Sequence, residues 1–267
     1  MSQKRVELLI IDPQIDFCDP RGALYVPNAE HDMQRLAAMV RRLREKIDDI
    51  HVTLDSHHFI HIAHPIFWKD GKGNPPLPFT TITRADVEEG RWTATQPGLY
   101  RRALEYVRHL EKNGRYELTI WPPHCLIGSP GHAVTPDLFA ALTEWEQRFA
   151  VVDYVTKGSN VMTEHYSGVQ ADVPDPADPS TQINTRLIQT LEQADIIAIA
   201  GEARTHCVAN TVRDIANAFG DDSYIAKLVL LTDAASDIPG FEAQSDAFLR
   251  EMKGRGMQFS TTTEFLA

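Results

Sequence analysis

Three polar side chains that could carry out chemistry stand close behind apolar runs of the sequence. Asp12 directly follows Val6–Ile11, Lys157 follows a mostly apolar segment that begins at residue 150, and Cys207 lies six residues after Gly201. A carboxylate beside a buried strand is partly desolvated, which raises its pKa and suits it to proton transfer. At the start of a helix, backbone N–H groups favour a cysteine thiolate and can hold an oxyanion. Together these residue types indicate nucleophilic catalysis.

Each of these residues also has a purely structural interpretation. In that interpretation Asp12 caps the turn after the first strand, Lys157 is an ordinary lysine at a strand end, and Cys207 is an inert packing thiol. His206 stands next to Cys207 and suggests a general base. Because consecutive residues at a helix start point about 100° apart, His206 is poorly placed to take the thiol proton.

A second group of polar residues has the donor atoms of a metal site. Asp55 and His57 are separated by one residue, so in an extended segment both point the same way and offer an oxygen and a nitrogen to one cation. His124 follows another apolar run and is expected at the same sheet edge. One Asp and two His ligands, with open positions for water, suit zinc, iron or manganese better than a closed structural site. Cys125 is expected to pack into the core.

The elements that must position these residues alternate along the chain. Apolar, β-branched runs predict strands at residues 6–11, 50–54, 117–120, 150–155, 196–200 and 228–231. Apolar residues at helical spacing predict helices over 33–47 and roughly over 98–112, 136–147, 181–193, 206–219 and 241–253. This alternation predicts an α/β fold with three layers, α/β/α, in which a mostly parallel sheet of about six strands carries helices on both faces. Ligands of such sheets bind beyond the carboxyl ends of the strands, where the polar residues above are expected to meet.

Composition narrows the choice of partner and compartment. The net charge of −11 and the pI near 5.4 argue against nucleic acid or an anionic membrane as a partner, and favour a small molecule. No apolar run reaches transmembrane length and the N-terminal one is too short for a signal peptide, so we expect a soluble, cytoplasmic protein. The three cysteines, Cys18, Cys125 and Cys207, are odd in number and far apart, and are expected to be free thiols.

We expect one domain over residues 1–267, with an insertion around 65–115. Residues 65–97 are rich in Pro, Gly and Trp and have no clean period, which is compatible with a surface insertion, a lid or a subunit contact. Trp68, Phe79 and Trp92 are too many large apolar side chains for a plain exposed loop. We therefore expect the insertion to pack on the domain or on another subunit of a homo-oligomer.

Two motifs make the sequence similar to a known family. IIDPQIDFC at 10–18 resembles the first-strand motif of the isochorismatase-like cysteine hydrolases, and GEARTHCVANT at 201–211 resembles their nucleophile motif. The DSH motif at 55–57, together with WPPHCLIGSPG at 121–131, resembles the nicotinamidase branch in particular. The resemblance covers most of the chain.

The resemblance implies a role for each candidate residue. It implies a catalytic triad of Asp12, Lys157 and Cys207, an oxyanion hole made by the Ala203 and Cys207 amides after a cis peptide bond between Glu202 and Ala203, metal ligation by Asp55, His57 and His124, and enclosure of a pyridine ring by Phe17, Trp121 and Tyr166. His61 lies where some relatives supply a further histidine, and it is left unassigned.

The implied activity is hydrolysis of nicotinamide to nicotinate and ammonia, a reaction of NAD salvage. Lys157 and Asp12 would together generate a thiolate near neutral pH, Cys207 would attack the carboxamide carbon, and water would hydrolyse the resulting thioester. The metal would orient the substrate through the pyridine nitrogen or bound water.

Two departures keep other functions open. The chain is longer than compact nicotinamidases, and Arg204 and Thr205 stand where relatives commonly carry Thr and an acidic residue. An altered pocket rim would admit another small amide, such as a carbamoyl or ureido compound. The remaining alternatives are a hydrolase that uses a metal-activated water and a binding protein without catalysis.

Overall fold

A computed structural model describes residues 4–114 and 116–267 of the chain. Within these residues the strands are β1 (Val6–Ile11), β2 (Asp49–Asp55), β3 (Trp68–Lys69), β4 (Thr81–Ile82), β5 (Thr93–Ala94), β6 (Leu118–Thr119), β7 (Asp153–Lys157), β8 (Ile196–Gly201), β9 (Leu228–Leu231) and β10 (Gln258–Ser260). The α-helices are α1 (Ile15–Cys18), α2 (Ala29–Arg42), α3 (Arg84–Glu88), α4 (Tyr100–Asn113), α5 (Pro136–Glu146), α6 (Thr185–Glu192), α7 (Ala209–Ala218) and α8 (Glu242–Gly254). A π-helical turn, Arg204–Val208, leads into α7. Short 3-10 turns cover Pro65–Phe67, Pro97–Leu99, Pro130–His132, Pro179–Thr181 and Asp222–Lys227.

Six of the strands form one parallel sheet, in the order β10, β9, β8, β1, β2, β7. Every residue of β1 is buried, as are the last five of β8, because both faces of the sheet are covered. Helix α2 packs against α5, and α7 packs against α8. The predicted three-layer α/β/α fold with a parallel sheet of about six strands is confirmed.

One of the six predicted strands does not belong to this sheet. Residues 117–120 contribute only β6, which pairs antiparallel with β4 in a separate two-stranded ribbon. Pro122 and Pro123 follow directly, and prolines cannot donate the backbone hydrogen bonds that a longer central strand needs. The sixth strand of the sheet is β10, an edge strand of three residues in which none is buried, so it gives no clear strand pattern.

The strand before Lys157 lies further along the chain than predicted. The sequence pattern favours residues 150–155, whereas β7 covers Asp153–Lys157. Val151 is largely exposed outside the strand, so the apolar run does not mark its start. The shift makes Lys157 itself the last residue of β7, where it pairs in register with Asp55 at the end of β2.

The segment proposed as an insertion contains the ribbon of β3 and β5, strand β4, and helices α3 and α4, and β4 pairs with β6 just beyond the segment. Trp68 is buried in the main core and Trp92 packs against that core, whereas Phe79 is 55% exposed. Two of the three large aromatic residues of the segment, Trp68 and Trp92, therefore pack on the core. Position 115 and residues 1–3, which the predicted insertion and domain include, lie outside the described residues.

In residues 4–114 and 116–267, none of the helices has both the length and the apolar character needed to cross a bilayer.

Candidate active site

The candidate catalytic residues meet at the carboxyl end of the central strands. Asp12 follows β1, Lys157 ends β7, and Cys207 lies in the π-helical turn after β8. The Lys157 ammonium lies 2.8 Å from Asp12 Oδ2 and 3.8 Å from the Cys207 sulfur. All three side chains are buried. The structure thus brings together residues that are almost two hundred positions apart in the chain.

Asp12 is held in one orientation by its neighbours. Its Oδ1 accepts a hydrogen bond of 2.6 Å from the Thr53 hydroxyl, while its backbone N–H donates to Thr53. Burial raises the pKa of the Asp12 carboxyl, although the Lys157 ammonium opposes that rise. A carboxylate with a raised pKa is a stronger base for the thiol, which lies within hydrogen-bonding reach of it.

The thiol and the lysine respond to burial differently. Burial raises the pKa of the Cys207 thiol well above its usual value, by more than Lys157 lowers it. Burial disfavours the Lys157 ammonium, but Asp12 and Asp55 outweigh this and raise the pKa of Lys157 well above its usual value. Desolvation therefore outweighs the single cation and favours the neutral thiol, so the thiolate near neutral pH stays a prediction.

The loop before Cys207 has the features expected of an oxyanion hole. The peptide bond between Glu202 and Ala203 is cis, as the resemblance implied. Among the described residues, no backbone carbonyl accepts a hydrogen bond from the Ala203 N–H, so this donor is free. Gly201 has a φ of 118°, and a Cβ on it would lie 2.0 Å from the Ile11 carbonyl oxygen, so glycine is required where the loop crosses β1.

A group of metal-binding side chains lies next to the triad. The candidate ligand atoms of Asp55, His57 and His124 all lie within 4.8 Å of one another, and all three residues are buried. Asp55 Oδ2 lies 3.0 Å from His57 Nε2 and 3.4 Å from His124 Nε2. His124 reaches this edge although its strand is not part of the sheet, because the backbone of His57 bonds to the segment 125–127.

The hydrogen bonds of the two histidines suit metal binding. The Nδ1 atom of His57 donates to the Gly158 carbonyl at 3.1 Å, and that of His124 donates to the Pro122 carbonyl at 2.8 Å. Because a carbonyl oxygen only accepts, each Nδ1 carries a proton, and Nε2 is the ring nitrogen that faces Asp55 and would bind a cation. One carboxylate and two imidazole nitrogens that converge in this way fit a divalent cation.

His61 has a different environment. It forms a second potential group with His57 and Glu164. Its Nε2 donates to the Thr163 carbonyl at 3.1 Å, however, and its Nδ1 accepts from the Ala63 N–H at 3.2 Å. Since both ring nitrogens are already engaged, His61 supports the backbone around the site in this arrangement.

The predicted ring-binding residues line one pocket with the thiol. Phe17, Trp121 and Tyr166 border a narrow cavity together with Ala203 and Cys207. The Trp121 indole N–H donates to the Tyr166 hydroxyl at 2.9 Å, which fixes the two rings at a right angle to each other. The same cavity is bordered by Leu24, Asp55, His124, Glu164, His206 and Ile238.

Sequence reasoning missed two of these pocket residues. Glu164 is buried, lines the cavity and lies 4.0 Å from His57 Nε2, but an acidic residue in a loop gives no signal of this. His206 lines the cavity, while its Nδ1 bonds to the Thr205 hydroxyl and its ring stacks on Tyr116. Burial lowers the pKa of His206 to about 3, so this side chain is neutral near pH 7.

The other two cysteines lie in the core. Cys18 and Cys125 are buried free thiols, as predicted, and burial raises the pKa of each well above its usual value. The backbone N–H of Cys125 donates to Asp16 at 2.6 Å, so Asp16 has the structural role of holding the loop that carries His124. The described cysteines form no disulfide, which leaves Cys207 as the thiol that borders the pocket.

Comparison with known proteins identifies the fold. No family profile and no curated protein matches the chain by sequence. By structure, the chain is similar to the yeast nicotinamidase bound to the inhibitor nicotinaldehyde (TM-score 0.66, 19% identity, 96% of this chain and 99% of that chain). It is also similar to the Pyrococcus horikoshii pyrazinamidase in complex with zinc (TM-score 0.56, 22% identity, 96% of this chain and 99% of that chain). A third similar structure is an isochorismatase family protein from Desulfovibrio vulgaris (TM-score 0.53, 16% identity, 97% of this chain and 95% of that chain).

These likenesses define the class of fold. The chain has the isochorismatase-like fold, in the form seen in nicotinamidases and pyrazinamidases, over nearly its full length. At identities near 20%, these similarities support the fold alone. The assignment of chemistry therefore depends on the site residues of this chain.

Proposed function

We propose that the protein is a metal-containing cysteine amidohydrolase that hydrolyses nicotinamide to nicotinate and ammonia. The observation that carries the proposal is the buried contact of Asp12, Lys157 and Cys207 at the wall of an aromatic pocket. A carboxylate, a cation and a thiol in mutual contact are what covalent amide hydrolysis needs, and a binding pocket alone has no need of them.

In the first half of the reaction, Asp12 accepts the proton of Cys207 as the sulfur attacks the carboxamide carbon. The new C–S bond pushes an electron pair onto the carboxamide oxygen, where the Ala203 and Cys207 N–H groups stabilise the oxyanion. The Lys157 ammonium stabilises the negative charge on Asp12 and on the sulfur in each step. The C–N bond then breaks, Asp12 returns its proton to the leaving nitrogen, and ammonia departs from a thioester.

In the second half, Asp12 takes a proton from water, which attacks the thioester carbon. The C–S bond breaks, the acid is released, and the Cys207 thiolate recovers the proton from Asp12. Asp55, His57 and His124 would hold a divalent cation, zinc or else iron or manganese, which supplies a positive charge that orients the substrate ring. Phe17, Trp121 and Tyr166 enclose the ring and exclude water.

Two comparisons support the choice of substrate and metal. The yeast protein is described with nicotinaldehyde, an aldehyde of the same ring, and the Pyrococcus protein with zinc. Three aromatic walls beside the thiol suit a single aromatic ring with one carboxamide. Another small amide, such as a carbamoyl or ureido compound, is the second candidate, because His206 and Glu164 add polar groups to the wall.

Ammonia release from a panel of amides tests the proposal. Nicotinamide, pyrazinamide, a carbamoyl compound and a ureido compound are compared over a range of concentrations that gives kcat and KM, with Cys207→Ala as control. We expect nicotinamide to have the highest kcat/KM and Cys207→Ala to release no ammonia, while rapid acid quench of the wild type gives a thioester adduct on Cys207 by mass spectrometry. Turnover by Cys207→Ala with metal present would contradict the covalent mechanism, and no ammonia from any amide would favour a binding protein.

A further inference from the structure

A buried pair of carboxyl groups lies behind the loop that carries Ala203. Glu202 and Asp32 are both almost completely buried, and their carboxyl groups are within hydrogen-bonding reach of each other. Ser236 bridges them, since its backbone N–H donates to Glu202 Oε2 at 3.1 Å and its hydroxyl donates to Asp32 Oδ2 at 2.6 Å. Asp32 also accepts a hydrogen bond from the guanidinium of Arg35.

In the described part of the chain, no cation is paired with Glu202. The guanidinium of Arg35 is engaged by Asp32, and that of Arg204 by Asp237. Glu202 Oε1 is buried and has no hydrogen-bond partner as long as both carboxyl groups are ionised. Two carboxyl groups in contact cannot both stay ionised without cost, and the proton resides on the one that lacks a cation.

The charged and titratable groups around Glu202 come from three elements: Asp32 and Arg35 of α2, Arg204 of the π-helical turn, and Cys18 of α1. Burial raises the pKa of the Glu202 carboxyl well above its usual value, and Asp32 adds to the rise, while Arg204 opposes it. The electrostatic balance therefore agrees with the geometry.

The carboxyl pair is coupled to the loop through the backbone. The Glu202 N–H donates to the Ile11 carbonyl at 2.8 Å, and the Arg204 N–H donates to the Ser236 carbonyl at 2.8 Å. Ala203 lies between these two anchored residues, so its free N–H is fixed in direction by both.

We propose that Glu202 is protonated and donates a hydrogen bond to Asp32, and that this carboxyl pair makes Glu202 a positioning residue for the Ala203 amide. The catalytic part of this inference rests on the proposed function, because the amide acts only when an oxyanion forms. The protonation of Glu202 does not depend on it.

Thermal stability as a function of pH tests the protonation in the full chain. Glu202→Gln keeps a donor toward Asp32 and an acceptor toward the Ser236 N–H. A carboxyl whose folded-state pKa is raised loses its stabilising contribution as pH rises above its unfolded value. We therefore expect the Tm of Glu202→Gln to equal that of the wild type near pH 5 and to exceed it by roughly 2–4 °C at pH 8. The exposed control Glu117→Gln is expected to have no pH-dependent difference. A Glu202→Gln variant that is less stable at pH 8 than at pH 5, relative to wild type, would mean that Glu202 is ionised.

Steady-state kinetics test the positioning role. Glu202→Gln is expected to keep kcat within about twofold, whereas Glu202→Leu, which lacks the donor, lowers kcat by about 10- to 100-fold with KM and the rate of Cys207 alkylation by iodoacetamide unchanged. A Glu202→Leu variant with a lowered Tm and the kcat of the wild type would restrict Glu202 to a structural role. If the Glu202→Leu variant does not fold, Asp32→Asn replaces it. The amide introduced by Asp32→Asn can donate a hydrogen bond to an ionised Glu202. We therefore expect the Tm of Asp32→Asn at pH 8 to equal that of Glu202→Gln.

The two readouts separate the two proposals. If the wild type hydrolyses none of the amides, the proposed function and the positioning role both fail, while the pH dependence of Tm still decides whether Glu202 carries a proton. If the wild type turns over its substrate and only the Tm result is contrary, the proposed function stands and the carboxyl pair is refuted.

Discussion

At the residue scale, burial gives the candidate site its reactivity. Asp12, Lys157 and Cys207 are ordinary side chains whose charges interact strongly because water is excluded around them. Desolvation favours the neutral thiol and the neutral carboxyl, and the Lys157 ammonium is the cation that opposes both effects. In the proposed mechanism, this balance allows one proton to move between Cys207 and Asp12.

Replacing Asp12 by Asn removes the proposed base with little change of shape. We expect kcat for amide hydrolysis to fall by about 10²- to 10⁴-fold, because the Asn amide cannot accept the thiol proton. Asp19→Asn, which changes a partly exposed carboxylate outside the pocket, serves as control and is expected to keep wild-type activity. In the wild type the acid limb of kcat/KM is expected at a pH above the usual carboxyl range, since the pKa of Asp12 is raised. An Asp12→Asn variant with near-normal turnover would exclude Asp12 as the base.

His57 and His61 differ in whether a ring nitrogen is available to a metal ion. Replacing them is therefore expected to affect metal content differently. His57→Ala removes a lone pair that faces Asp55, whereas His61→Ala removes a ring whose nitrogens are both bonded to the backbone. After dialysis against limiting zinc, we expect the His57 variant to lose at least 10-fold in zinc affinity and the His61 variant to bind as the wild type does. Metal content by mass spectrometry measures this without reference to activity, and equal losses in both variants would make His61 a ligand.

At the element scale, neighbouring parallel strands set the distances within the site. Asp55 and Lys157 are register partners at the ends of β2 and β7, while Asp12 and the 201–204 loop leave β1 and β8 at the same edge. Directly after β7 the chain turns at Gly158, which has a φ of 83°. This turn lets the chain pass beside Asp55 and His57, because glycine alone has no Cβ there.

Replacing Gly158 by Ala is expected to disturb the metal ligands more than the fold. The added Cβ would lie 2.7 Å from Asp55 Oδ1 and 2.9 Å from His57 Cε1. Gly90→Ala is the matched control, since Gly90 also has a positive φ of 74° but a Cβ there would meet nothing within 4 Å. Both variants are expected to lose roughly 1–2 kcal/mol of unfolding free energy from the strained backbone, measured by denaturant titration. Only Gly158→Ala should also weaken zinc binding, and unchanged zinc affinity in that variant would refute the steric argument.

At the scale of the whole molecule, a second buried charge network lies away from the site. His51 of β2 lies between two carboxylates, with its Nδ1 3.0 Å from Asp153 of β7 and its Nε2 3.4 Å from Glu7 of β1. Burial lowers the pKa of His51, but Glu7 and Asp153 outweigh burial and raise the pKa above its usual value. Three strands of the sheet are thus linked by one histidine cation.

This network predicts a pH dependence of stability. A histidine whose folded-state pKa is raised stabilises the fold fully below its unfolded pKa, and that stabilisation is lost as pH rises through the folded value. His51→Gln is expected to be less stable than the wild type by about 1–3 kcal/mol near pH 6, with a smaller difference at pH 9. The exposed His31→Gln is the control and should have no such dependence. Denaturant titration at the two pH values measures the effect, and a difference that grows toward pH 9 would contradict it.

The sequence by itself determined most of the strands and helices, the sheet edge at which the candidate site lies, and its residues Asp12, Asp55, His57, Lys157 and Cys207. These could be predicted because an apolar run followed by a polar residue is a local pattern, and because the carboxyl ends of parallel strands meet in space. The fold class followed from the same alternation of strands and helices.

Only the tertiary structure decided which groups touch. The antiparallel pairing of β6 outside the sheet, the edge strand β10, the approach of Glu164 to His57, and the contact of Glu202 with Asp32 join residues far apart in the chain. The protonation state of Cys207 is likewise a tertiary property, since it depends on how much water the surrounding chain excludes and on how near Lys157 lies. A local pattern carries neither distance nor desolvation, which is why these features could not be predicted.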